Sequence, residues 1–369
     1  MRFRTLAGLG ALTLAAVLCN PAPSVAPGVV SAFENGPELQ SIGPLAFGAD
    51  GTLFAADTKG AQIFALDLGA KASGTTAGAK NVDGIDSQIA SLLGTDAKSI
   101  VVTDMVVHPK TKNAYLSVMR GMGADAKPAL VRVDGAGKLD LVALDGMKYS
   151  KVALPNAPSA NAQARRDPRR DAITHMALVG NKLYVAGLSN EEFASKLRAI
   201  PYPFTTADKG TSVEIFHGNH GQLETRSPVY AFIPYTINNE PYIIASYLCT
   251  PLVKFPVASL KGDSKVLGTT IAELGNGNQP IDMVLYKKDG HEFLLMANTS
   301  RGVMKIPTDG FASLPSITAK VTTETAGIKY ETIQQLKGIV QLDLVDASQS
   351  IVLAKTDAGG LNLQTVPLP

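Results

Sequence analysis

The sequence predicts an all-β chain folded as a β-propeller with six blades and short helical insertions, and two observations predict it. Six segments share one plan: an apolar strand, a polar turn, a second apolar strand closing on a small residue, a polar break and a third strand of alternating character. With Leu45, Met105, Met176, Ala231, Met283 and Leu342 as equivalent points, the intervals between units are long and uneven, whereas the step from each point to its second strand is short and nearly constant. A constant hairpin with variable outer connections is what a radial repeat requires, because strands near an axis pack tightly while the rim can grow. The longest interval runs from Met105 to Met176, and a seventh blade hidden inside it is the alternative count.

The first unit runs from Gly43-Pro-Leu-Ala-Phe through Asp50-Gly51 to Leu53-Phe-Ala-Ala-Asp57 and Ile63-Phe-Ala-Leu-Asp67. Asp50-Gly51 here, and Asp289-Gly290 in the fifth unit, stand where a tight hairpin needs positive φ. The second unit is Asp104–His108, Ala114–Val118 and Ala129–Val133; the third is His175–Ala186. The fourth pairs Val229–Ile233 with Pro241–Ser246 and Leu252–Phe255, the fifth Asp282–Tyr286 with Glu292–Ala297 and Gly302–Ile306, and the sixth Val340–Leu344 with Ser350–Ala354 and Leu361–Thr365. Too little chain follows Leu342 for a full last sheet, so the ring is expected to close by borrowing a strand, with Phe33–Leu39 as donor. Between the units, Asp86–Gly94 reads as a short helix capped by Asp86 or Ser87, with Ile89, Leu92 and Leu93 inward. Ser189–Arg198 reads as a second helical excursion, and residues 155–168, without apolar periodicity, as a mobile loop.

Residues 1–32 have the layout of an export signal: Arg2 and Arg4, an apolar run from Leu6 to Leu18, and Val30-Ser31-Ala32 at the exit. The single propeller domain is then 33–369, placed in the periplasm or outside the cell; a lipid anchor at Cys19 is the alternative, disfavoured because Leu18 precedes it. No later segment is long and apolar enough to span a membrane. Cys249 is the only other cysteine, so no disulfide can form within the exported chain, and it is expected in the core. With 34 basic and 32 acidic residues, the chain lacks the positive field that nucleic-acid binding needs, and any partner must be recognised locally.

Gly43 to Asp67 resembles the first blade of the six-bladed propellers typified by NHL-repeat proteins and the gluconolactonase and strictosidine-synthase group, whose blades read Gly-Pro, apolar strand, Asp-Gly, apolar strand, Ala-Asp. The likeness is sharp over that one segment and diffuse elsewhere. The gluconolactonase branch implies a metal-dependent lactonase with a metal-ligating Glu just before the Gly-Pro of the first blade. Here that position is Ile42, which removes one expected ligand, and Glu38 is not in register with it.

In a propeller, the connection into each inner strand and the connection out of the second strand lie on one face. The former carry Asp104, His175 and Asp282; the latter carry Asp57, Arg120, Asn190 and Asn298, with Arg301 beyond. Around one channel mouth, Asp104, Asp282 and Asn298 offer ligands for a divalent ion such as Ca²⁺ or Zn²⁺, Asp57, Arg120, Asn190 and Arg301 offer contacts to a small polar ligand, and His175 an acid or base. His217-Gly-Asn-His220 has chelating spacing but no third ligand beside it, and is read as a solvated rim turn. Arg165–Arg170, interleaved with Asp167, is read as a soluble loop. The sequence lacks a Gly-x-Ser-x-Gly elbow, a His-Glu-x-x-His motif, a Walker loop and a haem anchor. The expectation is therefore an exported, non-catalytic propeller with no certain cofactor that binds a protein or a small polar ligand. A metal-dependent hydrolase or lactonase is the alternative, and an accessory subunit of a periplasmic redox complex the third class.

Overall fold

Strands that alternate core and core again, rather than core and solvent, make sheets with two apolar faces, and each sheet must bury both against neighbours. The computed structural model describes residues 36–72, 80–161, 163–164 and 166–369, so the signal expected over residues 1–32 and the Cys19 alternative lie outside the described residues. Among the described residues there are six sheets whose first strands line a common axis: Leu45–Phe47, Ile100–Val107, His175–Val179, Val229–Ile237, Pro280–Lys288 and Ile339–Leu344. We number these blades 1 to 6 in chain order. The expected Asp-Gly turns form: Gly51 has φ 100°, and Asp289 and Gly290 have 52° and 81°.

Six apolar clusters fill the six gaps between blades, and they fix the order around the ring. Blade 1 packs on blades 2 and 3, blade 3 on 4, 4 on 5, 5 on 6, and blade 6 on blade 2. Blades 1 and 2 are therefore exchanged relative to their order in the chain. Blade 1 takes its first three strands from Leu45–Leu66 and its outer strand from Tyr149–Ala153, which follows blade 2. Blade 6 has three strands of its own, and its outer edge is met by Val82, paired with Leu363. Lys80 and Thr365 tighten this edge, as does Gly84, whose N–H donates to Asn362 Oδ1. The ring closes through residues 80–84, not through Phe33–Leu39 as the sequence suggests; the described part of that segment, residues 36–39, forms no strand. The long interval between Met105 and Met176 is explained as well. It holds the rest of blade 2 and the outer strand of blade 1, and among the described residues no seventh sheet.

The expected helix is present as α1, Ile85–Leu92, starting two or three residues earlier than a cap at Asp86 or Ser87 implies; Gly84, at φ 59°, stands at its N-cap. Ile85 and Ile89 wedge between blades 2 and 6 while Leu92 is 40% exposed. The second expected helix does not form. Ser195–Pro201 is the third strand of blade 3, because Leu197 and Ala199 face blade 4 while Ile200 faces blade 1, the two-residue period of a strand buried on both sides. The 155–168 loop is tied down by Arg169, which donates to the Lys59 and Pro158 carbonyls, and by Arg166 paired with Asp171. Among the described residues no helix is long and apolar enough to cross a membrane.

Leu363 is fully buried and carries both the apolar contact and the bridge that joins blade 6 to residues 80–84. Leu363→Ala is expected to cost about 2–5 kcal/mol, read as a lower midpoint in urea unfolding with an unchanged slope.

Candidate functional site

The inner strands of blades 2, 4, 5 and 6 each carry a register shift against their second strands, near Thr103, Tyr230, Ile281 and Val340. Such bulges re-aim the next side chain, here toward neighbouring blades and the axial channel. Asp104 accepts from the N–H of Leu45 in blade 1 at 2.6 Å, and Asp282 from the N–H of Leu342 in blade 6 at 3.0 Å. Asp343, which the sequence does not single out because it follows the reference leucine, accepts from the N–H of Val107 in blade 2 at 2.7 Å. Three carboxyls thus stitch consecutive inner strands. Burial pushes Asp104 up to about 7 and Asp343 to about 6, and burial together with the neighbouring Asp104 charge raises Asp282 further. Asp104 keeps part of its surface in the channel, but the surrounding protein still desolvates it. His175 stands on the wall of blade 3, edge-on to Phe232 at 4.7 Å, and burial holds its pKa near 4, so it is a neutral imidazole at physiological pH.

The other anticipated residues are distributed over the same face. Asp57 is buried and takes four donors, from Gln40 N, Ser41 N, Ser41 Oγ and Gly60 N. Arg120 is exposed and reaches the Gly94 carbonyl at 3.3 Å. Asn190 is exposed in a turn whose N–H donates to the Asn156 carbonyl. Asn298 spends its amide on Met296 O and Gly302 O and accepts from Asn278 Nδ2. Arg301 pairs with Glu324 at 2.6 Å and donates to the Asn276 carbonyl. The structure brings Asp104 and Asp282 together with Asp343, while the Asn298 amide is spent on its own hairpin and Asn278.

A different constellation forms where blade 3 meets blade 4. The outer strand of blade 3, Thr211–His217, runs up past its neighbours and turns through Gly218–Gly221 into Gln222–Glu224. The turn is expected to be solvated; instead residues 317–321 lie over it, Val321 N–H donating to the Gly218 carbonyl, and His217 is 1% exposed. His220 stays half in water, its ring centroid 3.8 Å from that of His217. Cys249, expected in the core, sits half-exposed at the tip of the second turn of blade 4. A ring nitrogen of each histidine and the Cys249 sulfur all lie within 4.8 Å of one another. Cys249 and Thr250 have φ 62° and 55°. Two consecutive left-handed residues with side chains carry a strain of about 1–3 kcal/mol each that packing must hold. The Cys249 N–H bond to Asn278 O at 2.7 Å and the Thr250 hydroxyl bond to Gly275 O do so.

Two carboxylates flank the trio. Glu224 Oε1 lies 2.6 Å from His220 Nδ1 and 3.1 Å from His217 Nδ1. Burial pushes Glu224 up, but its hydrogen bonds to both imidazoles outweigh that and bring it down to about 2. Glu273, fully buried on the outer strand of blade 4, accepts from Gly218 N with Oε1 and points Oε2 toward His217 Nε2 at 3.6 Å; burial raises its pKa against the opposing pull of His217. Both nitrogens of His217, Glu273 Oε2 and both polar atoms of the Asn219 amide are buried without a well-formed hydrogen bond. Leaving one such group without a partner costs about 1–3 kcal/mol, and these five atoms lie at the Gly218–Gly221 turn and on the blade 4 strand beside it.

No protein-family model matches the chain, and no curated protein matches it. Among solved structures, it is similar to the PQQ-bound form of an aldose sugar dehydrogenase from Streptomyces coelicolor, with 12% identity and a TM-score of 0.29, over 93% of this chain and 99% of that one. It is also similar to a putative oxidoreductase (glucose dehydrogenase) from Thermus thermophilus, with 12% identity and a TM-score of 0.33, over 92% of this chain and 100% of that one. Both proteins carry enzyme names, whereas the expectation here is a non-catalytic binding module drawn from missing catalytic signatures; that expectation is not carried further. At this distance the likeness is one of architecture. The gluconolactonase-type alternative is not taken up either: Ile42 is buried at 1% exposure and donates its N–H to Met119 Sδ.

The axial carboxyls have a measurable consequence. Their folded-state pKa values lie above those of the unfolded chain, so the unfolded state loses protons first as pH rises from about 4 to about 7, and stability falls across that window. Asp104→Asn is expected to flatten the decline by at most about 1.4 kcal/mol per pH unit, followed by urea unfolding at half-unit steps.

Proposed function

We propose that the protein is a metal-dependent enzyme whose centre is held by His217, His220 and Cys249 on the face where the axial channel opens. The observation that carries this reading is the set of buried, unsatisfied polar atoms around two imidazoles and a thiol that already converge. Two nitrogens and a sulfur suit a borderline-soft ion, Zn²⁺ first, since Ca²⁺ takes six to eight oxygens. Glu224 lies on the Nδ1 side of both rings, the position a carboxylate takes behind metal-bound histidines, where it would leave the Nε2 atoms free to coordinate. Glu273 stands beside His217 Nε2 as a further oxygen donor or as a base for a proton released nearby. His220 and Cys249 leave the centre open to solvent on one side, as a catalytic rather than a closed structural site requires. A bound ion would act there as a Lewis acid, polarising an oxygen ligand and lowering the pKa of a coordinated water. Export, expected from residues 1–32, belongs to the same proposal.

Purified protein is expected to hold one equivalent of metal by elemental analysis. After exchange, a Co²⁺ derivative should show thiolate charge transfer that Cys249→Ser abolishes and d–d bands that azide shifts. Glu224→Gln should weaken the metal about 10–100-fold while sparing the fold. A protein with neither stoichiometric metal nor a thermal shift on adding Zn²⁺ overturns the reading.

A further inference from the structure

The loop Gly275–Gln279, whose Asn278 carbonyl holds Cys249, also touches a second concavity. Asn276 O accepts from Arg301 and Gly277 O from the Ser300 hydroxyl. Here, between blades 5 and 6, the turn after His291–Asn298 and the segment leading into Ile339–Leu344 enclose a groove of about 490 Å³. Its floor is apolar, from Ile281 and Leu336, and its walls carry Thr299, Arg301, Lys337 and Lys355. That is three cations and not one carboxylate among the lining residues, in a chain whose charges otherwise balance almost evenly.

The cations are brought together by the backbone. Gly338 turns the chain at φ 65°, its carbonyl accepts the N–H of Lys355 at 2.8 Å, and a Cβ on it would lie 3.0 Å from Lys355 O. Lys337, next in sequence to this glycine, is therefore held close to Lys355. Neither lysine has an acidic partner within 4.0 Å among the described residues. Arg301 is only partly engaged: its Nη2 binds Glu324 Oε1, and Glu324 is 70% exposed, a carboxylate an incoming anion can replace. Thr299 Oγ accepts from Gln279 N, which leaves its hydroxyl proton to donate.

We propose that this groove binds a small, multiply charged oxyanion, a phosphate monoester or a polycarboxylate. The lysines supply point charge, the Arg301 fork supplies planar recognition, and the Ile281–Leu336 floor meets the carbon frame. The proposal goes beyond the metal centre and does not rest on it, since no groove residue is a ligand of that centre.

Isothermal titration at low ionic strength with inorganic phosphate and with citrate tests it, with glycerol as the neutral control. The expected result is a saturable one-to-one isotherm for at least one anion, weakening as NaCl is added, and the tighter of the two names the ligand class. Charge reversal at Lys337→Glu with Lys355→Glu should weaken that binding at least about tenfold. Glu324→Gln, which removes the competing carboxylate from Arg301, should tighten it, a gain that misfolding cannot imitate. No saturable heat with either anion, or an affinity unchanged in the lysine double variant with its melting curve intact, overturns the proposal. Because citrate and phosphate would themselves bind a metal ion, the titrations are repeated with Cys249→Ser after EDTA dialysis; heat that survives there belongs to the groove, and the two readings fail separately.

Discussion

The molecule depends on how its ring is closed. A propeller is a stack of sheets with no first or last member, whereas a chain has two ends, so some blade must be assembled from distant segments. Here two are. Blade 1 is completed by Tyr149–Ala153 and blade 6 is edged by residues 80–84, and blade 2 lies between them in space. Near the foot of blade 2, Asn113 Nδ2 donates to the carbonyl of Ala72, in the chain leaving blade 1 for the rim of blade 6. Three blades are thereby locked together. The contacts formed are of long sequence separation, and their loop-closure entropy makes blades 1, 2 and 6 a late, cooperative unit of folding.

The six hairpins are legible in the sequence because the physics that makes them is local: alternation of apolar residues, a turn residue with positive φ, and a constant step between strands. Which hairpins touch is not legible. The exchange of blades 1 and 2 leaves no mark on the periodicity; it shows only as the one long interval from Met105 to Met176, which looks the same as an insertion or a hidden blade. Ser189–Arg198 misleads for a related reason. Lys196 and Arg198 look like the polar face of a helix, yet both are buried, and Lys196 is neutralised by Glu191 at 2.6 Å. A strand buried on both sides can carry a charge such as Lys196 when its partner comes from the preceding loop; the Arg198 guanidinium has no such hydrogen bond.

Site residues divide in the same way. Asp104 and Asp282 stand out because each precedes a methionine at the start of an inner strand, a positional signal within one repeat. Nothing local joins Cys249 to His217 and His220, because the contact crosses from blade 3 to blade 4, and the first two strands of blade 4 lie between His220 and Cys249 in the chain. The two left-handed residues at Cys249 and Thr250 have no sequence signature, since neither is Gly, Asn or Asp.

The buried polar groups separate into two kinds, and the difference decides which of them is scaffold. Asp104, Asp282 and Asp343 each accept from the N–H of the next blade; hydrogen bonds offset their desolvation, and burial lets each keep a proton to higher pH than a free carboxyl. A group satisfied from within its own protein needs nothing further, so the axial carboxyls are read as the stitches of the ring. His217, Asn219 and Glu273 carry buried nitrogens and oxygens too, and these face one another without good bonds. Protonating His217 would help Glu273, but Glu224 already competes for the same positive charge across two rings. A doubly protonated His217 offers Nδ1–H to Glu224 and Nε2–H to Glu273, whereas the dication proposed above would take a lone pair from each ring and offset both glutamates by charge. On the proposed reading it is the ion, rather than the chain's own protons, that supplies the missing charge.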